Sequence, residues 1–468
     1  VENTRDTGSW RELGGHLSTA VVLAGGVLVG AVNIYVAASL LPTAVGDIGG
    51  ERLYAWNMTA FLIAQVVATM FVGRLLSRRG DVGSYLIGFG VFAGGSLVCA
   101  VAPAMPVLLV GRGIQGLGAG LLAGLGFAMI RSALPPHLWS RGSALVSAMF
   151  GVGNFVGPAL GGLFAQFGSW RLAFVVLAAV SVVMAAFVPR ALPRSERDEH
   201  ATPVPVRSLV LVVAAVGAVS VAGILSNAAA MTAFILLGLV LVLAFLVAEK
   251  RAEVRVLPRS TFQSGSALRW VFLTIVLLAS GVAVETFLPL FGQHLGGLPP
   301  VAAGFFAAAL SFGWSASQIA SSSASRERTT RRLQVAGPAA LAAGFAVLAL
   351  LQHDDAPLVV VLAWLPVLVA GGAGIGIAMP HLSVAAMAST DDPGEGRKTA
   401  AAIATVLTIS TAFGAAVAGL LVNLGAPSMV ASARYLLIGF AAIAALGIFT
   451  ARRANDVARR QEKAGSPR

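Results

Sequence analysis

The sequence predicts an all-α polytopic membrane protein with fourteen transmembrane helices, arranged as two six-helix bundles with two further helices inserted between them. Three observations carry that prediction. Of the 468 residues, 57% are hydrophobic and 11% charged, with a mean hydropathy of +0.85, whereas a soluble domain carries about 25% charged residues. Apolar runs long enough to cross a bilayer recur along the whole chain, and the connections between them alternate between basic and nearly neutral. Short motifs of the first half return in the same order in the second.

Each element follows from the length of apolar chain that a bilayer requires, roughly 20 residues. The first six runs lie near 18–42, 54–76, 83–102, 107–130, 142–166 and 171–190. A polar connection from Pro189 to Ser208 precedes an apolar pair, 209–227 and 230–248, and a second basic connection begins at Lys250. The last six runs lie near 269–292, 301–322, 334–352, 357–380, 399–423 and 432–451. The domain division expected from this is a cytoplasmic N-terminus (1–17), a first bundle (18–190), a linker carrying two extra spans (191–268), a second bundle (269–451) and a basic tail (452–468).

Charge supports the count. With a cytoplasmic N-terminus, the inner connections hold Arg78 and Arg79, Arg131 and Arg141, Arg190, Arg194, Arg197 and Arg207, then Lys250 through Arg269, Arg326 through Arg332, and Arg397 with Lys398. The outer connections keep only Arg52, Arg171 and Arg434. An odd number of spans would break this positive-inside bias, so both termini are expected in the cytoplasm of a bacterial cell, with the chain in its cytoplasmic membrane. The formal charge of +12 is dispersed over these connections, which gives no basic face on which a nucleic acid could lie. Cys99, the single cysteine, sits inside an apolar run, so intrachain disulfides and thiolate clusters are excluded. The polar start is of mixed charge, unlike a secretory signal, and targeting is expected from the first span.

The repeat pairs Gly157 with Gly414 and Gly162 with Gly419 in the fifth and thirteenth spans. Gly116-Leu117-Gly118-Ala119-Gly120 echoes Gly372-Ala373-Gly374-Ile375-Gly376, and Gly73-x-x-x-Ser77-Arg78 echoes Ser321-x-x-x-Ser325-Arg326. Two related halves around a midplane site form the pattern of alternating-access transporters. The inserted pair has no ionisable residue in its apolar cores and is expected at the periphery, facing lipid.

The stretch from Arg112 to Gly162 is costly for a passive anchor. An arginine within a span needs a partner or a wet cavity, glycines at helical spacing bring two helices close, and a proline frees a carbonyl that a neighbour must satisfy. These residues resemble the major facilitator superfamily, and the fourteen spans resemble its drug/proton antiporter branch. Leu41-Pro42-Thr43 and Trp56 to Leu62 are similar to that branch's first loop and second span. Gly73, Ser77, Arg78 and Gly80 resemble the inner-loop signature, Arg112 to Gly120 the fourth-span signature, and Gly153, Gly157, Pro158, Gly161 and Gly162 the antiporter signature of span five. The resemblance implies the two-bundle fold, rocking of the halves on the span-five glycines, and export. Three departures stand against the pattern: Ser77 replaces an aspartate, Asn33 occupies the place of a frequent first-span aspartate, and a glycine is missing near Ala144.

With those acids absent, Glu285 is the leading candidate for proton coupling or substrate contact. A carboxylate in apolar surroundings gains by taking up a proton and losing its charge, which is what a proton-coupled switch requires. A hydrated or salt-bridged Glu285 near the outer mouth is the alternative. Arg112 and Glu285 both fall roughly 8–10 Å below the outer surface at 1.5 Å per residue. The family fold implies that spans one, four, nine and twelve line the cavity, so two arrangements of Arg112 are open: a pair with Glu285, or bonds to backbone and Gln115 within its own half. Asn33, about 13 Å inside Pro42 by the same rise, suits either a substrate contact or a helix–helix hydrogen bond. Tyr35, Gln65, Asn154 and Trp364 fit packing better than ligand contact, and His294 and His381 fall at opposite mouths.

No phosphate-cradling loop, zinc-protease motif or nucleophile elbow occurs, and Asp354-Asp355 and Asp391-Asp392 lack metal-ligand company. The expectation is therefore a secondary transporter with no cofactor: a monomer that exchanges protons for a hydrophobic or cationic amphipathic small molecule amid membrane lipids. Export of a lipid or glycolipid by the same fold is the nearest alternative. A non-transporting membrane sensor or a polytopic lipid-modifying enzyme are the alternatives of another class.

Overall fold

The computed structural model describes residues 10–192, 203–263, 265–324, 326–388 and 393–465. Residues 193–202 of the 189–208 connection, with Arg194 and Arg197, and Ser325, Asp391 and Asp392 lie outside the described residues, as do the side chains of Arg131, Arg397 and Lys398. No strand occurs among the described residues. The long helices of the first half are α1 (Leu17–Ile48), α2 (Trp56–Met70), α3 (Val72–Ala100), α4 (Met105–Ala128), α5 (Trp139–Phe167) and α6 (Trp170–Ala191). The inserted pair is α7 (Val206–Ile224) and α8 (Ala228–Arg251). The second half opens with the broken segment α9 (268–294), followed by α10 (Pro300–Ser321), α11 (Glu327–Leu350), α12 (Leu358–Met387), α13 (Pro393–Gly425) and α14 (Met429–Gly465).

Among the described residues, 13 helices are long and apolar enough to span a membrane. The fourteenth expected span, α10, has 22 residues. Its Gly, Ser, Trp and Gln residues lower its mean hydropathy and keep it from joining them on apolarity.

The chain divides into two compact units. The first comprises the chain up to Glu51, residues 60–204 and the first turn of α10, Pro300–Phe305. The second comprises Arg52–Thr59, Pro205–Pro299 and Phe306 onward. In the first unit α1 packs most extensively on α5, and α3 on α4; in the second, α11 packs on α12 and α14.

Helix ends follow local chemistry. α1 stops at Gly49 and Gly50, with φ of 70° and 92°, a left-handed conformation that glycine adopts at little cost. Asn227 caps α8 by accepting from the Ala230 N–H at 2.9 Å. The carbonyl of Gly376, deprived of its helical donor by Pro380, accepts instead from Ser321 Oγ on α10 at 3.2 Å.

Three expectations are corrected. The second span was expected to end near residue 76, but helix persists to Gly80, whose φ of 68° and ψ of −177° make the reversal inside α3. Hydropathy marks where apolar residues give way to Arg74, Arg78 and Arg79, whereas the helix ends only where the backbone must turn. The ninth span was expected to be one helix and is broken instead by a 3-10 turn. The inserted pair was expected at the periphery, facing lipid; α8 does expose Leu236, Leu239, Val240 and Leu243, whereas α7 is half-buried and packs on α13. Gly223 makes that approach possible, since a Cβ there would meet Leu420 N at 3.1 Å, and Asn423 Nδ2 donates to the Gly223 carbonyl at 2.9 Å.

Candidate functional site

In the first unit, glycines set the geometry of a buried polar cluster. α3 and α4 cross at Gly95 and Gly111, where a Cβ on Gly111 would meet Cys99 N at 2.8 Å and Gly95 O at 3.0 Å. That backbone approach carries Ser96 and Cys99 to Gln115. Arg112 Nη1 donates to Gln115 Oε1 at 2.7 Å, Gln115 Nε2 donates to Ser96 Oγ at 2.8 Å, and Ser96 Oγ donates to the Phe92 carbonyl at 2.8 Å. On the other side of α4, Gly116 and Gly120 let α2 close in, and the Arg112 guanidinium lies over the Phe61 ring, 4.4 Å from its centroid. Arg112, Gln115 and Ser96 are all fully buried. A desolvated cation–π contact contributes about 2 kcal/mol and a hydrogen bond to a charged group about 1.5–3 kcal/mol, which together offset much of the cost of a buried charge.

Asn33 on α1 is fully buried, and neither its Oδ1 nor its Nδ2 has a hydrogen-bond partner among the described residues. An unmet buried polar atom costs about 1–3 kcal/mol, so an orphaned amide asks for an explanation. The helix beside it is held by the span-five glycines. A Cβ on Gly153 would meet Ala31 Cβ at 2.8 Å, one on Gly157 would meet Val32 O at 2.9 Å, and one on Gly161 would meet Val36 Cα at 2.8 Å. Gly162 instead faces the first turn of α10, at Val301 N, whose N–H donates to Gln166 Oε1 at 3.4 Å. Pro158 is buried in the same helix.

In the second unit, Glu285 stands on the 3-10 turn Gly281–Thr286, which joins the helical pieces Leu268–Ser280 and Leu288–His294 of α9. Pro289 explains the break: it has no N–H for the Glu285 carbonyl four residues back, and its ring crowds that carbonyl. A mid-helix 3-10 stretch often marks a hinge. Glu285 is 6% exposed and hydrogen-bonded to Ser311 of α10, while its Oε1 has no partner among the described residues. The Thr286 hydroxyl is likewise without one, as is that of Tyr54, whose ring stacks on Phe287 at 5.0 Å between centroids. Gly414 brings α13 against this turn, since a Cβ there would meet Ser280 O at 2.5 Å and Ala283 Cβ at 3.0 Å.

In the inner-loop motif, Gly73 is half-buried and Arg78 exposed, and Ser77 Oγ donates to the Arg74 carbonyl at 3.0 Å. Gly80 makes the turn, and Asp81 immediately after it is buried, at 8% exposure. An acid is absent at Ser77 but present here, and its signal in the sequence is an acid directly following a turn glycine. Ser96, Ser311 and Tyr54 carry no such signal, because nothing in one chain's spacing says which spans are neighbours. Trp364 is packed, donating to Leu351 O at 3.2 Å. His381, expected at the inner end of its span, is buried at 7% exposure, and Gln334 Nε2 of α11 donates to its carbonyl at 3.1 Å. Arg52, Arg171 and Arg434 are all engaged: Arg52 with Ser226, Arg171 with Asp47, and Arg434 with the Gln352 carbonyl. No cluster of metal ligands occurs among the described residues.

Known proteins resemble this chain in sequence and in fold. The family model described as Major Facilitator Superfamily matches residues 23–415. A probable multidrug-efflux transporter of Mycobacterium tuberculosis is 47% identical over 469 residues, covering 98% of this chain and 99% of the relative. Multidrug resistance protein 3 of Bacillus subtilis is 24% identical over 379 residues, covering 79% of this chain and 73% of that one. Among solved structures, a POT family transporter in complex with 5-aminolevulinic acid shares the fold, with a TM-score of 0.67 at 13% identity, covering 97% of this chain and 98% of the other.

Proposed function

The chain belongs to the major facilitator superfamily, and from that premise we propose that it is a proton-coupled exporter of hydrophobic or cationic amphipathic compounds. It is a multi-pass membrane transporter and not an enzyme. The finer reading places all fourteen helices across the bacterial cytoplasmic membrane with both termini inside, 18–190 and 269–451 forming the alternating halves, 191–268 the linker with its two helices and 452–468 the inner tail. The names of the multidrug-efflux relatives support export of small molecules.

One observation carries the coupling role: Glu285 is a buried acid on a broken helix, with one carboxylate oxygen unpartnered among the described residues. Protonated, it is neutral and compatible with apolar surroundings; deprotonated, it needs a cation or water. Alternation between those states gives protons and a cationic substrate a shared seat. Asn33 offers a neutral hydrogen-bonding group to the polar part of a substrate. Arg112 and Gln115 keep α4 rigid beside it. Gly153, Gly157 and Gly161 form the surface on which α1 and α5 slide, and Gly162 the contact of α5 with α10.

Purified protein in liposomes, given an imposed proton gradient and a cationic dye, tests the reading. Wild type exports dye at a rate that follows the gradient, and Glu285→Gln, which removes the carboxylate that the proton and the cation share, reduces export to the level of empty vesicles and weakens equilibrium dye binding. Gradient-driven, pH-dependent export by Glu285→Gln overturns the assignment.

A further inference from the structure

Away from these residues, the second unit contains a cleft of about 660 Å³ between the first turns of α11 and the far part of α14. Arg328, Arg331 and Arg332 enter it from α11, and Arg452, Arg459 and Asp456 from α14. Five guanidinium groups thus face one carboxylate. Arg331 is ion-paired with Glu327 one turn away, whereas Arg328, Arg332, Arg452 and Arg459 are exposed and have no ion-pair partner among the described residues. The walls are tied together, since Asn455 Nδ2 donates to the Arg331 carbonyl at 3.1 Å. The cleft is not basic throughout: Val335 and Ile448 lie along its inner part.

Neighbouring side chains give its level. Trp270 and Phe449 meet edge to face at 6.1 Å, with Arg269 5.6 Å from the Trp270 centroid and Arg453 5.3 Å from that of Phe449. Tryptophan and arginine in that combination mark the membrane–water boundary. Phe449 and Arg453 flank Arg452 along α14, so the arginine rim lies at headgroup depth and the apolar part beneath it at the depth of acyl chains.

We propose that this cleft is a binding site for an anionic phospholipid, the arginines holding the phosphate and the first acyl methylenes lying along Val335 and Ile448. Guanidinium groups pair bidentately with phosphate oxygens, and a basic pocket between helices at the interface suits such headgroups. An inorganic phosphate or soluble phosphate ester offers the same oxygens without the chain, and the apolar inner part favours the lipid. The site does not depend on Glu285 or on the direction of transport.

The full chain is reconstituted in phosphatidylcholine nanodiscs, phosphatidylglycerol is titrated in, and bound lipid is counted by native mass spectrometry. Wild type is expected to retain phosphatidylglycerol over phosphatidylcholine. Arg332→Gln with Arg452→Gln should weaken that retention roughly tenfold or more, as loss of two interfacial charges does, while Lys250→Gln with Arg251→Gln should not. Asp456→Asn removes the opposing carboxylate and should tighten binding, a gain that a misfolded variant cannot imitate. Equal retention of both lipids, insensitivity to the arginine pair, or displacement by millimolar inorganic phosphate each overturns the proposal, the last by assigning the cleft to a soluble anion.

Discussion

A charge inside a span persists only where its neighbours replace the hydrogen bonds and polarisation of water, and Arg112 shows what that replacement takes. The Phe61 ring covers one face of the guanidinium and Gln115 accepts at its edge; Gln115 is in turn held by Ser96, which is anchored on the Phe92 carbonyl. The links are unequal. Gln115→Leu takes a charge-assisted hydrogen bond from a buried cation, at about 2–3 kcal/mol, whereas Ser96→Ala leaves one neutral amide N–H unmet, at about 1 kcal/mol. Thermal unfolding in detergent should rank the two in that order, with Gln115→Leu well below Ser96→Ala. Equal melting temperatures would mean that Gln115 is not what holds Arg112. Asn33 is the contrasting case, a buried amide with neither bond made among the described residues, which suits a group that waits for a ligand.

At the scale of the helix, α4 gives a test within seven residues, because its glycines do different things although they look alike in the sequence. A Cβ at Gly113 would meet nothing within 4 Å, at Gly116 it would strike the Phe61 backbone, and at Gly118 it would meet Phe92 N at 2.5 Å. Gly113→Ala should therefore be neutral or slightly stabilising through better helix propensity, about 0.5–1 kcal/mol, while Gly116→Ala and Gly118→Ala force helices apart at about 1–3 kcal/mol each. Melting temperatures of the three purified variants decide it; equal tolerance at all three would show that α4 is loosely packed. The run Gly113, Gly116, Gly118 and Gly120 was legible as a close-packing helix, but which glycine faces which neighbour was not, since facing depends on contacts between spans. The same limit explains the rest. Glu285 was legible as an acid in a span, and Pro289 four residues on was visible, yet the 3-10 break also reflects how α13 presses Gly414 onto Ser280. Gly80 was legible as part of a loop signature, but helix beyond the apolar run hid that it alone makes the reversal.

Across the whole molecule, the repeat is a repeat of packing and not of chemistry. Gly157 of α5 approaches Val32 and Tyr35 of α1, and Gly414 of α13 approaches Ser280 and Ala283 of α9. In that register Val32 corresponds to Ser280 and Tyr35 to Ala283, so Asn33 corresponds to Gly281 and Glu285 to Ala37. Asn33 and Glu285 thus sit on the first helix of their halves, one turn apart in this register and of different character, beside equivalent glycine contacts. If those contacts are the surfaces on which each half deforms, crowding either one should slow the cycle without touching the groups that bind. Gly157→Ala and Gly414→Ala are each expected to lower the initial rate of dye export in liposomes while leaving equilibrium dye binding within about twofold. Adding a methyl to a filled contact costs about 1–3 kcal/mol, the same span as a roughly 5- to 150-fold change in rate if it falls on the moving state. Gly151→Ala on α5, where a Cβ meets nothing within 4 Å, is the matched control and should transport as wild type does. Impairment at Gly157 alone would mean that the proline beside it, which the second half replaces with Ala415, sets the motion. Impairment at both would place the moving surface in what the two halves share.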